Sequence, residues 1–403
     1  MPWKGVTVSE QRQNFLRDYQ LRYYSLTELA ERYSVSRKTA YKWISRYEQL
    51  GKAGLEDLSR RPLSCPWQTE GQIVEALVEL RKAHASWGAD KLLDVLERRQ
   101  PRWELPSAST AARILSHHGL VRARRRHRRA HPGCPQHVAA GPNEIWGADY
   151  KGQFRLGNGQ YCFPQTVSDL GSRFLLGCDG HQRVDGELTK AHFDGLFHTY
   201  GLPEGIRTDN GVPFAGNGLA RLSSLSVWWI TLGIYPELIE PGHPEQNGIH
   251  ERMHRTLKQE TSCPPERTMA RQQQRFDEFR TEYNEERPHE ALAMKRPAQL
   301  YRSSPRPMPK HIATYDYPLN SLVRRVSRCG TIRVFGNQVF VSQTLNEQHV
   351  ALEEVDDGVY DLSFCFYLIG RYELKTNRIH DIITRVPLSV EKAEGPNRVS
   401  PMS

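Results

Sequence analysis

The apolar residues keep a helical spacing through the first 120 residues and lose it from residue 143 onward. One fold class therefore cannot hold the chain, and a helical front must precede a part built from strands. Ala40, Trp43, Ile44 and Tyr47 recur at i, i+3, i+4 and i+7, the stripe of a half-buried helix. Ile73, Leu77 and Leu80 make a second stripe, and Leu92, Leu93 and Leu96 a third. Ile145, Trp146, Ala148 and Tyr150 then surround Asp149 in a strand-like run. At 403 residues the chain has room for roughly two to four domains.

Residues 1–58 read as a helix-turn-helix domain. Ser25 and Ser36 are placed to cap two helices across the short break Ser34-Val35-Ser36. The second helix leaves Arg37, Lys38, Tyr41, Lys42 and Arg46 outside its apolar stripe, and such an end suits a DNA major groove. A small bundle with a solvated basic face would give the same pattern. Residues 68–121 predict a second, winged helix-turn-helix domain. Residues 122–140 predict an extended arm, in which Arg122, Arg124, Arg125, Arg126, Arg128 and Arg129 crowd into eight positions. Such a run repels itself unless an anion is present, and it suits a phosphate track or a narrow minor groove. A solvated linker is the plain alternative.

Charge supports this division. Residues 1–140 hold 25 Lys/Arg against 14 Asp/Glu, and the remainder holds 30 against 32. The basic third is where a phosphate backbone would be attracted. The seven cysteines form no CxxC pair, which fits reduced thiols in a cytoplasmic protein. No signal peptide and no apolar run of membrane-spanning length is expected.

From 141 to 305 strands come first and then alternate with helices, an α/β layout. Residues 161–168 and 173–178 read as strands, 186–200 and 218–233 as helices, and GIRTD as a short strand ending at Asp209. A long helix starts near Gln246, and SSPRPMPK (303–310) closes the domain. Short alternating runs from 311 to 387, joined at Gly336-Asn337 and Asp357-Gly358, predict a small β-barrel. The last residues are expected to lack order.

Three acids sit in distinctive settings. Asp149 lies inside an apolar strand, where a carboxylate is costly without a compensating cation or hydrogen bonds. Asp209 ends a strand ahead of Asn210-Gly211, and sites of α/β sheets gather at strand ends. Asn247, Glu251, His254 or Arg255, and Lys258 share one face of the long helix by spacing. The carboxylate suits a hard cation, and Asn247, Arg255 and Lys258 suit DNA phosphates. Taken alone, an exposed helix with weak intrahelical pairs explains that face as well.

NEIWGADYKGQF (143–154), GIRTDNGVPF (205–214), PGHPEQNGIHERMHRTLK (241–258) and YNEERPHEAL (283–292) stand in this order. Together they resemble the bacterial insertion-sequence transposases of the DDE, or retroviral-integrase, superfamily over residues 1–310. The resemblance implies a ribonuclease-H-like catalytic core. In it Asp149 and Asp209 lie on neighbouring strands and Glu251 on a helix beside them, as catalytic residues and metal ligands. It implies two Mg²⁺ ions, or Mn²⁺, and phosphoryl transfer on double-stranded DNA at element ends and target. A homodimer or larger assembly on DNA, acting at the bacterial nucleoid in the cytoplasm, is expected, because one subunit cannot easily hold two ends and two target phosphates. Two other readings stay open: a DNA-binding regulator that keeps the α/β domain as a scaffold, and a ribonuclease H, which cleavage of an RNA–DNA hybrid would separate.

Overall fold

The computed structural model describes residues 7–57, 68–121, 138–150, 152–240 and 243–381. The chain divides into two compact units, Met1–Gln68 and Thr69–Ser403.

The first unit is a three-helix bundle: α1 (Val8–Gln20), α2 (Leu26–Arg32) and α3 (Arg37–Leu50). Capping boxes at Thr7/Glu10 and Ser25/Glu28 fix two of the starts, each stabilising by about 1 kcal/mol. Phe15, Leu16, Leu29, Ala40, Trp43 and Ile44 close its core. Ser34, at φ 50°, turns the chain from α2 into α3, which gives the expected helix-turn-helix.

The second unit opens with α4 (Gly71–Ala83), α5 (Ala89–Arg99) and α6 (Ala108–His117), packed around Leu77, Trp87, Leu92, Ala111 and Leu115. No strand follows within the described residues 68–121, so the expected wing is not found there. The Arg122–Arg129 run lies outside the described residues.

The central sheet holds β1 (Ile145–Tyr150), β2 (Phe154–Arg155), β3 (Tyr161–Asp169), β4 (Leu175–His181), β5 (Gly205–Thr208) and β6 (Tyr235–Leu238). Its order is β2-β3-β1-β5-β6, with β4 on the free side of β3. β1 and β3 are antiparallel, while β1, β5 and β6 run parallel. Helices α7 (Gly186–Tyr200) and α8 (Ser224–Thr231) connect them. The expected helix over 218–233 is shortened at its start, because Ala220 and Arg221 adopt positive φ and break the spiral. The two helices cover one face of the sheet through Trp146, Ala148, Phe193, Phe197 and Trp229.

The other face is covered by α9 (Gly248–Thr261) and α10 (Met269–Thr281), through Cys178, Met253, Leu257 and Phe276. The expected long helix begins as a 3₁₀ turn, Pro244–Asn247. After α10 the chain makes a π turn, Glu282–Glu286, and a short helix α11 (Pro297–Leu300). The Pro-rich segment then straps back onto the core, with Leu202 N–H donating to Arg306 O at 2.7 Å and Ser304 N–H to Tyr200 O at 2.8 Å.

A seam joins α4–α6 to the core. Arg287 meets Glu260 at 2.8 Å, with the two side chains 8% and 22% exposed. The Ser86 hydroxyl donates to the same Glu260 carboxylate, and His84 Nδ1 lies 2.8 Å from Glu282 Oε1.

The C-terminal region is not the expected closed barrel. β7 (Leu322–Arg325), β10 (His349–Asp356), β11 (Val359–Phe364), β12 (Tyr367–Glu373) and β13 (Arg378–Asp381) form an open sheet in the order β13-β12-β11-β10-β7. β8 (Thr331–Val334) and β9 (Asn337–Phe340) pair only with each other. The hairpin turn Phe335-Gly336, at φ 48° and 84°, closes that pair locally, and among the described residues no ladder joins the edges of the larger sheet. Sheet and hairpin bury one core that also takes in Val227 and Ile230 of α8.

Candidate active site

The parallel pairing of β1 with β5 matches Ala148 to Thr208, so Asp149 and Asp209 follow side by side at the carboxyl ends of the two strands. Alternation along β1 decides which way each side chain points. Ala148 enters the core under α7. A Cβ on Gly147 would meet His250 of α9 at 3.2 Å, and Asp149, two residues on, shares that face. Asp209 is fixed by its own turn: its Oδ1 accepts from Gly211 N–H at 3.0 Å. Asn210 braces the turn, donating to Ile239 O at 2.8 Å and accepting from Arg221 at 2.7 Å.

Helix α9 packs on this face by a buried stripe of His250, Met253, His254, Leu257 and Thr261. Two histidines hold it in register. Thr166 Oγ1 of β3 lies 2.8 Å from His250 Nε2 and 2.6 Å from His254 Nε2. Ser168 Oγ lies 2.8 Å from His250 Nδ1, and His254 Nδ1 stands 3.5 Å from Asp149 Oδ2. These tethers orient α9 over Asp149 and place Glu251, one residue after His250, in the helix's first turn. Glu251 is exposed, as are Arg255 and Lys258.

The single face read from spacing is therefore split. Glu251, Arg255 and Lys258 face outward, whereas His254 and Asn247 are turned in, Asn247 being only 5% exposed. Asn247 Oδ1 has no hydrogen-bond partner. His243 is an exposed loop residue beside Glu240. Asp149 and Asp209 are brought together, with the Glu251 helix docked beside them, yet the three acids do not close into a cluster. Among the described residues, the trio of such side chains within 4.8 Å of one another is Asp179, His181 and His192.

At the start of α3, Arg37, Lys38, Tyr41 and Lys42 are exposed. Arg46 is turned inward instead, lying 4.8 Å over the Trp43 ring and donating to Glu56 O at 2.6 Å. Arg12 covers the same ring at 3.9 Å. The sequence reading missed the tethers Thr166, Ser168 and His250. The available signal was a His pair at i, i+4 on α9, which one strip of sequence does not orient. Buried Asp169, which accepts from Asn143 N–H at 2.8 Å and Ser172 N–H at 2.7 Å, was missed too. Burial raises its pKa despite those hydrogen bonds.

Three family models match: an integrase core domain over 232–297, which contains Glu251; a helix-turn-helix domain over 11–62; and a homeodomain-like domain over 39–115. An uncharacterized 31.7 kDa protein of insertion element IS407 from Burkholderia multivorans is 27% identical over 255 residues, 62% of this chain and 85% of that protein. A 39.2 kDa protein of insertion element IS476 from Xanthomonas euvesicatoria is 27% identical over 287 residues, 70% of this chain and 79% of its own. Together these matches support an insertion-sequence transposase of the DDE/integrase superfamily.

Solved structures similar at low level include the simian T-cell lymphotropic virus intasome, at 16% identity and TM-score 0.36 over 72% of this chain and 97% of that one. The HTLV-2 integrase catalytic core with magnesium is another, at 16% and 0.32 over 40% and 98%. The family matches alone place a helix-turn-helix domain ahead of an integrase core domain along this chain. No described helix is long and apolar enough to cross a membrane, and the five described cysteines are free.

Proposed function

We propose that this transposase binds the terminal repeats of a mobile element, then cuts the DNA and joins its 3′ ends to a target. Asp149, Asp209 and Glu251 would hold two Mg²⁺ or Mn²⁺ ions. The observation that carries the reading is the parallel β1–β5 register, which sets Asp149 beside Asp209 with α9 docked at the same end. The donor set fits hard cations, since all three groups offer oxygen alone. Ions held by these three carboxylates would supply activation of the attacking oxygen and charge stabilisation at the leaving 3′-oxygen in phosphoryl transfer.

The chain's own residues do the rest. His254 stands beside the Asp149 carboxylate at 3.5 Å, and the Asn210-Gly211 turn fixes that of Asp209. Arg255 and Lys258, exposed on the Glu251 helix, draw in phosphates. Arg37, Lys38, Tyr41 and Lys42 would face a DNA groove, and the cations of the run 122–129 would bind phosphates. Two subunits or more hold the two ends on DNA at the bacterial nucleoid.

The deciding experiment is a strand-transfer assay with element-end DNA and a supercoiled target, in Mg²⁺ or EDTA, comparing wild type with Glu251→Gln. Metal-dependent joined product from wild type alone is the expected result. Specific end binding without joining, in Mg²⁺ and Mn²⁺ alike, would make the protein a DNA-binding regulator instead.

A further inference from the structure

On the opposite face of the sheet from α9, a second set of donors converges. Asp179 and His181 stand two residues apart on edge strand β4, so they project from one face. His192 descends onto them from α7. One donor atom from each lies within 4.8 Å of the others. His192 is 6% exposed and Asp179 41% exposed, and His192 Nε2 stands 3.5 Å from Asp179 Oδ2, longer than a hydrogen bond. His192 Nδ1 has no hydrogen-bond partner. A Cβ on Gly177 would lie 2.3 Å from His192 Nε2, so the strand carries glycine where the ring comes down.

A buried imidazole nitrogen left without a hydrogen bond is unfavourable. Burial also keeps His192 neutral, its pKa pushed down to about 4, and it lowers that of His181. A neutral ring presents the lone pair that a metal needs. A hydrogen-bonded Asp–His pair would be the ordinary explanation, but the 3.5 Å gap does not make one.

We infer that Asp179, His181 and His192 form a binding site for one transition-metal ion of the zinc class, separate from the three acids. Two nitrogens and one oxygen select Zn²⁺ or Co²⁺ over Mg²⁺. Ligand bonds of about 2.0–2.2 Å require the donors to close by about 1 Å, within reach of side-chain rotation. The exposed side of Asp179 leaves a fourth position to water. The bound ion clips edge strand β4 to α7. His181 Nε2 is 3.1 Å from Gln165 Oε1, which also accepts from Tyr150 O–H at 3.2 Å, so the clip reaches the residue after Asp149.

The test uses the full chain, stripped with a chelator and titrated with Co²⁺ or Zn²⁺ while visible absorption and thermal unfolding are followed. Wild type should bind one ion in this site, show the cobalt d–d band, and gain about 5 °C or more in Tm at saturating Zn²⁺. Asp179→Asn and His181→Gln change side chains at the open end of the cluster, which spares the core. Loss of band and shift in either supports the site, and Asp149→Asn should keep both. The inference is overturned by absence of band and shift in wild type, by their survival in both Asp179→Asn and His181→Gln, or by displacement of Co²⁺ by equimolar Mg²⁺.

Discussion

Charge is concentrated in two places in the second unit, and the two are built oppositely. At the seam between α4–α6 and the core, charges balance: Arg287 with Glu260, and His84 with Glu282. Groups there that lack a close partner of opposite sign are pushed toward neutrality. Burial, with Lys91 and Arg287 nearby, lowers the His289 pKa to about 3. Burial and Arg287 lower that of Lys91 to about 8. At the sheet end, by contrast, acids share one end of the sheet, two aspartates at the ends of adjacent strands and a glutamate exposed on the helix nearby. A balanced cluster serves the fold. An unbalanced one costs stability until a cation arrives.

The largest effect should separate the two by activity. Asp149→Asn should lower strand transfer about a thousandfold or more, as expected for losing several kcal/mol of transition-state stabilisation, while leaving end-DNA binding unchanged in a gel-shift assay. Its Tm should hold or rise, since a like charge is removed. A lowered Tm would mean that the sheet end is structural and the contrast false.

Arg287→Ala should do the reverse by leaving the partly buried Glu260 without its cation. It should cost about 3 kcal/mol, read as a lower denaturation midpoint. Replacing Arg287 and Glu260 together should cost less than the single change.

The seam should also show in the pH dependence. Below about 6.5 the unfolded chain protonates His289 while the folded chain holds it neutral to about 3. Stability therefore falls as pH drops through that window, and His289→Gln should flatten the Tm profile there. Lys91 adds the alkaline counterpart: stability should rise as pH climbs from about 8 toward 10.5, and Lys91→Met should remove that slope.

The smallest effects concern DNA. Neutralising Arg37 or Lys38, both exposed at the start of α3, should each reduce the logarithmic salt slope of DNA binding by about 1. Arg46→Gln should change it less, because that guanidinium is taken up by Trp43 and Glu56.

The acids and their order could be read from the chain because strand, turn and helix signals surround each one locally. The first module was legible for the same reason, as Ser25 and Ser36 cap their helices where spacing put them. The orientation of α9 was not. Glu251/Arg255/Lys258 and His250/Met253/His254/Leu257 are two stripes of one helix, and the second is held down by the packing of Met253 and Leu257 and by the hydroxyls of Thr166 and Ser168, more than 80 residues upstream. The seam rests on contacts such as His84 with Glu282, 198 residues apart, which no local pattern encodes. The open C-terminal sheet was misread as a barrel because closure depends on which distant edges pair, not on strand spacing.

Helix α8 divides its side chains between two interiors, Leu225 and Trp229 into the central core, Val227 and Ile230 into the C-terminal one. As a mobile element diversifies, exchange of its parts is therefore constrained: a break placed after the strap at residue 310 would strand half of α8 in water. The C-terminal sheet can drift in sequence, but it travels with this core as one heritable piece, and recombination that preserves function should fall ahead of α4 rather than behind α11.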